Sequence, residues 1–342
     1  MALVRDDDGA GVTMTGIGIL ATGSYVPKQI VTGDDVAGPA GVTPEWIERK
    51  TQIVTRRYAA PDQATSDLAA QAANRALEQA GVPASALRYL IVSTSTPDSP
   101  QPPTSYVTQD LIGADRAACF DINVVCSGFV YGLALARALV AQEPGALALV
   151  VAADIYSRIL DVTDRKTVVL LGDGAGAALV GQVPSGGFLD VELASFGHAQ
   201  RLIRVDGGGT RMPLTDETVA NGDHFFRMNG RGVRDFVMDN VPGAVQTLVE
   251  RTGHRLGDVD HFVPHQANGV LLSELVTRCG LDTAQTHRTL ERYGNTGSAS
   301  AALALDDANQ NGHLKADDLV LITTFGGGMS LGATLLRWTA AS

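Results

Sequence analysis

The sequence predicts an α/β fold assembled from two similar halves, and three observations carry that prediction. Strand-like apolar runs alternate with helix-like stretches along the whole chain. The second half repeats the order of motifs found in the first, at the scale of a domain rather than of a short solenoid repeat. The composition is 45% hydrophobic but only 5% aromatic, with 38 Gly, which suits closely packed layers of small aliphatic residues. A chain of 342 residues is also too long for one small core, so two lobes are expected.

The elements follow in order. Leu90–Thr94, Cys119–Val124, Leu147–Ala152 and Ala175–Val180 read as strands, being short, apolar and bounded by turn residues. Ser66–Ala80, Ser105–Leu111 and Val130–Gln142 carry helical spacing. After residue 185 the pattern loosens into the Gly-rich segment Val205-Asp206-Gly207-Gly208-Gly209-Thr210. Regular elements then resume, with helices at Phe236–Thr252 and Val270–Cys279 and strands at Asp260–Pro264, Leu319–Thr323 and Ala333–Trp338.

The duplication is visible motif by motif. Tyr89-Leu90-Ile91-Val92 is matched by His261-Phe262-Val263-Pro264. Each half then opens an Ala/Leu-rich helix from a turn of small residues, Cys126-Ser127-Gly128 in one and Asn295-Thr296-Gly297-Ser298 in the other. Each ends on a Gly-rich turn and a last strand, Gly172–Gly176 or Gly326-Gly327-Gly328. This divides the chain into a flexible tail at 1–15, containing the run Asp6-Asp7-Asp8, a first half at 16–184 and a second at 185–342. Two such halves packed together bring matching helix starts, and with them Cys126 and Asn295, to one shared interface.

Charge and cysteine content exclude several classes. A net charge of -11 with no basic stripe argues against broad nucleic-acid binding, while leaving room for a local basic site. The three cysteines, Cys119, Cys126 and Cys279, form neither a disulfide framework nor a metal-ligand spacing. No secretory signal is visible, and the apolar stretches Gly128–Val140 and Ala146–Ala153 are too short or interrupted to span a bilayer. A cytoplasmic setting, reducing enough to keep a free thiol, is expected.

The chemistry starts at Cys126. The segment Phe120–Val125 delivers this thiol into a turn of small residues directly before a helix, where backbone N–H groups and the helix dipole favour thiolate over thiol. Cys119 and Cys279 read as small buried apolar residues. His265, in Val263-Pro264-His265-Gln266-Ala267-Asn268, follows a strand; a lone loop His is commonly structural, but this one lies in the half that matches the half bearing Cys126. Asn295 lies in Tyr293-Gly294-Asn295-Thr296-Gly297.

These motifs together, with Leu171–Val180 and Phe325-Gly326-Gly327-Gly328, resemble the β-ketoacyl-acyl-carrier-protein synthase III family of the thiolase superfamily, from about Gly16 to Trp338. The resemblance implies a thiolase-like five-layered αβαβα fold and a homodimer. It implies a catalytic set of Cys126, His265 and Asn295, with the N–H groups of Cys126 and Gly327 as oxyanion hole. It implies an acyl group loaded from acyl-CoA onto Cys126 and joined, by decarboxylative Claisen condensation, to a malonyl thioester that acyl carrier protein can carry. Coenzyme A thereby enters as a substrate, and no resident cofactor or metal is implied. His265 and Asn295 would donate hydrogen bonds to the enolate oxygen, and Phe325 would shield the departing carboxylate, although a plain core Phe reads equally well there. Trp46 and Arg165 would sandwich the adenine of coenzyme A, with Lys50 near the nucleotide where an Arg is frequent.

Several positions depart from the family pattern. Val270 stands where a basic residue docks the carrier protein, and Asp235, beside Arg234, stands near a second docking lysine; both weaken the expectation of an acidic carrier. Gln101, in the loop Pro97–Pro102, replaces a bulky aromatic, and Gly297 replaces a frequent Ser. The two together point to a primer larger than acetyl, unless Gln101 merely faces solvent. An alternative therefore stands: an acyltransferase that moves the Cys-bound acyl group to a hydroxyl of a small-molecule acceptor, with His265 as general base. Retention of Asn295 favours condensation. The order Cys, His, Asn also occurs in papain-like proteases, but their local nucleophile signature is absent.

Overall fold

The computed structural model describes residues 3–5, 11–13 and 16–339. The expected tail at 1–15, with Asp6–Asp8, lies outside the described residues except for two short paired strands, Leu3–Arg5 and Gly11–Thr13.

Two five-stranded sheets organise the chain, and they have the same topology. In the first, the order is Gly16–Tyr25, Asp173–Val183, Ala148–Ile155, Tyr89–Ser93, Ala118–Ile122. In the second it is Gly187–Ser195, Ser330–Arg337, Leu319–Gly326, His261–Pro264, Gln285–Thr286. Numbered within its own half, each sheet runs 1-5-4-2-3, with two antiparallel pairings followed by two parallel ones. The repetition read from the motifs is thus a repetition of fold.

The halves stack into five layers. Helices Gly128–Gln142 and Ala299–Gln310 lie between the sheets and touch both. Thr65–Ala80 and Thr104–Ile112 cover the outer face of the first sheet, and Gly230–Arg251 with Gly269–Arg278 that of the second. The central position explains the apolar run from Val125 to Gln142: Phe129, Val130, Leu133, Ala136 and Val140 are completely buried between the sheets. Burial of a side chain of Val or Phe size stabilises by about 1.5–3 kcal/mol, so this layer fixes how the halves meet.

Two expectations need correction. Gly172–Gly176 is not a terminal turn; strand Asp173–Val183 begins inside it. A side chain at Gly174 or Gly176 would press into Leu303 or Ala302, so these glycines let the central helix lie close against the strand. Second, regular structure resumes at once after 185 with strand Gly187–Ser195, an edge strand whose half-exposed residues weaken its apolar signal. Helix Pro44–Thr51 carries Trp46 and Lys50; its start is marked by Pro at the first position and by Thr43, whose hydroxyl accepts from the Trp46 N–H at 3.2 Å.

Candidate active site

The site is built where the two halves meet. Strand Ala118–Ile122 leads to a tight 3-10 turn at Val125–Ser127, and the central helix Gly128–Gln142 begins directly behind it. Val125 takes φ 47°, a left-handed conformation that β-branched residues rarely adopt. Such strain costs about 1–3 kcal/mol and persists only where the surroundings enforce it. Here it turns Cys126 inward, leaving the residue 7% exposed. Gly326, from the other half, closes over it: any side chain at 326 would strike the Cys126 backbone and Cβ.

The thiol's electrostatics differ from the expectation. Burial pushes Cys126 up to about 12, and the Asp154 carboxylate adds to that push. The N–H groups of Cys126 and Gly327 and the hydroxyl of Tyr156 all act on the sulfur and pull in the opposite direction, but desolvation wins. The resting residue is therefore a thiol, and the helix start alone does not make it a thiolate. Cys119 and Cys279 are also free and pushed up, to about 11 and about 12.

His265 follows strand His261–Pro264, and its N–H donates to the Thr323 carbonyl at 2.7 Å. The amide-rich sequence after it is a brace. Gln266 Nε2 donates to the Pro264 and His287 carbonyls at 2.7 and 3.1 Å, and its Oε1 accepts from the Thr289 N–H at 3.1 Å. Asn268 caps helix Gly269–Arg278 and donates from Nδ2 to the Lys50 carbonyl at 3.1 Å. Burial alone takes the His265 imidazole down to about 3, so the ring is neutral near pH 7. Its Nδ1 is buried with no hydrogen-bond partner among the described residues. The Phe325 ring stands edge-on to it at 5.2 Å.

Asn295 is fixed by the first half. Its N–H donates to the Leu170 carbonyl at 2.8 Å, and its own carbonyl accepts from the Gly172 N–H at 2.9 Å. The side-chain Oδ1 accepts from the Gly297 N–H at 3.0 Å. That leaves Nδ2 as the free polar group, without an acceptor among the described residues.

One cavity of about 1050 Å³ joins these residues. Cys126, His265, Asn295 and Phe325 line it, as do Trp46, Lys50 and Arg165. Trp46 is half-buried, whereas Lys50 and Arg165 are exposed. Lys166 and Arg231 line the same opening, and none of Lys50, Arg165, Lys166 and Arg231 is in an ion pair among the described residues. Arg234 also lines it, but its Nε lies 3.1 Å from Glu274 Oε2 and its Nη1 3.2 Å from Asp235 Oδ1.

One expectation about the acyl pocket fails, and the other finds no support within a single chain. Gln101 is exposed and does not line the cavity of its own chain; its loop, where Ser99 Oγ donates to the Gln101 carbonyl at 2.9 Å, lies on that chain's surface. Gly297 does not loosen the wall beside Asn295 either. It adopts φ 61°, and a side chain there would collide with the Tyr156 ring and the Asp154 carboxylate. The room that glycine leaves is already filled.

Tyr156 and Asp154 were not foreseen. Asp154 is the penultimate residue of strand Ala148–Ile155 and is completely buried, accepting from the N–H and Oγ of Ser95 and from the N–H and Oγ of Ser298. The available signal was a carboxylate at the end of an otherwise apolar strand, a position that stays ionised only if surrounded by donors.

Comparison with known proteins identifies the family and the fold. Residues 120–197 match the family described as 3-oxoacyl-[acyl-carrier-protein (ACP)] synthase III, and residues 249–338 match its C-terminal counterpart. The chain is 48% identical over 323 residues to the acetoacetyl CoA synthase NphT7 of Streptomyces sp. (strain CL190), covering 94% of this chain and 98% of that one. It is 41% identical, with the same coverage, to a β-ketoacyl-[acyl-carrier-protein] synthase III of Caldanaerobacter subterraneus subsp. tengcongensis. Among solved structures, the priming β-ketosynthase of the R1128 polyketide pathway superposes with a TM-score of 0.88 at 33% identity, covering 96% of this chain and 97% of that one. The 3-oxoacyl-[acyl-carrier-protein] synthase III of Aquifex aeolicus VF5 gives 0.87 at 31%, covering 94% and 100%.

Proposed function

The chain belongs to the 3-oxoacyl-[acyl-carrier-protein] synthase III family, and from that premise we propose a two-step acyl transfer through Cys126. Proteins of this type are condensing enzymes that begin fatty-acid or polyketide chains, and this chain is one of them. The observation that carries the residue assignment is the meeting of Cys126 from one half with His265 and Asn295 from the other in a single cavity.

In the first step the Cys126 sulfur attacks the thioester carbonyl of an acyl-CoA. A sulfur–carbon bond forms, and the charge that develops on oxygen sits between the N–H groups of Cys126 and Gly327. The bond to the coenzyme A sulfur then breaks, and the proton given up by Cys126 ends on the departing thiol. Trp46 and Arg165 offer flat faces to the adenine, and the unpaired Lys50, Arg165, Lys166 and Arg231 offer charge to the phosphates.

In the second step a malonyl thioester enters. Its carboxylate leaves as carbon dioxide, and the electron pair passes into the thioester oxygen. Asn295 Nδ2 and His265 Nε2 donate to that oxygen. The geometry favours donor roles for both: Asn295 Oδ1 is occupied by the Gly297 N–H, and His265 is neutral with a buried, bare Nδ1. A proton at Nδ1 would be a buried donor without an acceptor, so the proton belongs on Nε2. The enolate carbon attacks the acyl carbonyl, the Cys126 thiolate is expelled, and it takes a proton from solvent. Phe325, packed on His265, keeps water from the carboxylate being lost.

Ester formation on a hydroxyl is disfavoured: the relatives of this chain are named for condensation, and burial, which lowers the His265 imidazole, weakens it as a base. For the acceptor, malonyl-CoA fits the mouth better than a malonyl carrier protein. Val270 offers no charge, and Arg234 is neutralised by Glu274 and Asp235; one 48%-identical relative carries the name acetoacetyl CoA synthase. The homodimer implied by the family and the cytoplasmic setting that suits a free reactive thiol complete this reading. The test is a chase of the acyl-loaded protein with malonyl-CoA or with malonyl-carrier protein. A β-ketoacyl-CoA formed faster than the carrier-bound product supports it; preferential extension on the carrier refutes the acceptor assignment, and release only onto an alcohol refutes condensation.

A further inference from the structure

Arg56 is the largest fully buried side chain among the described residues, and no ion pair among them answers its charge. The guanidinium donates instead to two main-chain carbonyls, from Nη1 to Thr32 at 3.1 Å and from Nη2 to Val169 at 2.9 Å, and its Nε is buried without a partner among the described residues. The carboxylate whose charge bears on it, Asp35, is exposed and accepts from the Thr32 N–H and hydroxyl, both at 2.7 Å. A buried charge met only by neutral acceptors is a cost that an apolar residue of the same volume would avoid. Stability alone therefore does not account for an arginine here.

Its position does. Arg56 lies in strand Thr55–Tyr58, which pairs with Gln29–Thr32, and its stem packs against two backbone segments of the site. A Cβ at Gly172 would lie 3.0 Å from Arg56 Cβ, and one at Gly294 3.3 Å from it, so both segments come close to the stem only as glycine. These two segments grip each other around Asn295. The Asn295 N–H donates to the Leu170 carbonyl at 2.8 Å, its carbonyl accepts from the Gly172 N–H at 2.9 Å, and Leu171 lies opposite Asn295 in a parallel bridge. Val169, whose carbonyl the guanidinium holds, is the neighbour of Leu170. The same stretch of chain is tied to the residues before Asn295 as well: the Val54 N–H donates to the Glu291 carbonyl at 3.0 Å, and Thr55 Oγ1 to the Arg292 carbonyl at 2.8 Å.

We propose that Arg56 is a positioning residue for Asn295: by clamping the Val169 carbonyl it sets the segment 169–172 against which the Asn295 backbone is registered, and so aims Nδ2 at the enolate oxygen of the second step. This rests on the reading of Asn295 as a donor in decarboxylation. Arg56 does not itself line the cavity. The side-chain amide has one further restraint, the Gly297 N–H on Oδ1, and that group belongs to the same loop. Placement of Nδ2 thus follows the backbone, and the backbone follows the clamp. Acyl loading uses other groups: Cys126 belongs to the turn Val125–Ser127 and Gly327 to the turn after strand Leu319–Gly326. Loss of the clamp should therefore separate the two steps.

The experiment is a mutant cycle on single-turnover rates, with wild type, Arg56→Met, Asn295→Ala and the double variant. Two rates are read for each protein: acetylation of Cys126 at saturating acetyl-CoA, by intact mass, and extension of the acetylated protein by malonyl-CoA. Arg56→Met is expected to slow extension about 10- to 100-fold, the effect of a reacting group misplaced by about 1 Å, with acetylation changed far less. Added to Asn295→Ala, it is expected to slow extension by less than about 2-fold more, because residues that act as a unit are not additive. Equal slowing of both steps means a role in stability alone, extension at the wild-type rate means no role, and a full second loss in the double variant means that Arg56 does not act through Asn295; each overturns the inference. Asn295→Ala extending at the wild-type rate refutes the reading of Asn295 itself, a result separate from any seen in the single Arg56 variant. Should Arg56→Met not fold, Arg56→Gln, neutral and too short to reach both carbonyls, is read by the same criteria.

Discussion

The Asp154 carboxylate accepts two hydrogen bonds from Ser298, one from its N–H at 2.8 Å and one from its hydroxyl at 2.7 Å. Asp154 lies next to the end of a strand of the half that carries Cys126, and Ser298 opens the central helix of the half that carries His265 and Asn295. With Ser95 on its other oxygen, this one buried carboxylate ties the two halves together within reach of the sulfur. Burial raises its proton affinity, and the donors around it oppose that rise.

Asp154→Ala should therefore destabilise the fold severely. It strands the backbone N–H groups of Ser95 and Ser298, which cannot turn to other acceptors, at about 1–3 kcal/mol each. A loss of about 3 kcal/mol or more in urea unfolding is expected. A midpoint within error of wild type would show that the carboxylate does not hold the halves together.

Stability should fall in acid through His265. Folded, the imidazole sits at about 3; its ordinary value is 6.5. As pH falls below that ordinary value the unfolded chain takes up the proton first, so stability is full above about 6.5 and declines toward about 3, by up to about 1.4 kcal/mol per pH unit for one such group. His287, held to about 4 by burial and by His261 and His313, acts in the same direction. Replacing His265 with Asn should make the decline shallower, measured as urea midpoints between pH 7 and pH 4. An unchanged slope would mean that His265 is not buried as a neutral ring.

Asn295→Asp should separate the two chemical steps. Oδ1 can still accept from the Gly297 N–H, but the donor Nδ2 becomes a carboxylate oxygen that repels the enolate. Condensation should fall about 100- to 1000-fold, the size of losing one donor to a developing oxyanion, while acyl loading changes far less. Single-turnover rates for each step decide it, and equal loss of both would place Asn295 outside the decarboxylation step.

The three residues that meet in the cavity were legible because each lies in a local pattern. Cys126 sits in a strand-turn-helix run, His265 at a strand end, and Asn295 before a small-residue helix start. The duplicated topology was legible for the same reason, as both halves repeat short-range signals in one order. The inner wall was not. Whether Gly297 opens a pocket depends on Tyr156, far away in sequence and in the other half, and no local pattern links the two. The thiol's protonation was misjudged on the same ground, since the helix start is local whereas the desolvation and Asp154 charge that outweigh it come from the packed interface. Gln101 was read from its alignment with a wall residue, but its loop lies on the outside of its own chain.

The central claim is that Cys126 alone carries the acyl group. Wild type, Cys126→Ala, Cys119→Ala and Cys279→Ala should each be mixed with radiolabelled acetyl-CoA and the labelled peptide identified by mass. One acetyl group on the peptide containing Cys126 is predicted, lost in Cys126→Ala and retained in the other two variants. Label on Cys119 or Cys279, or label persisting in Cys126→Ala, would contradict the account.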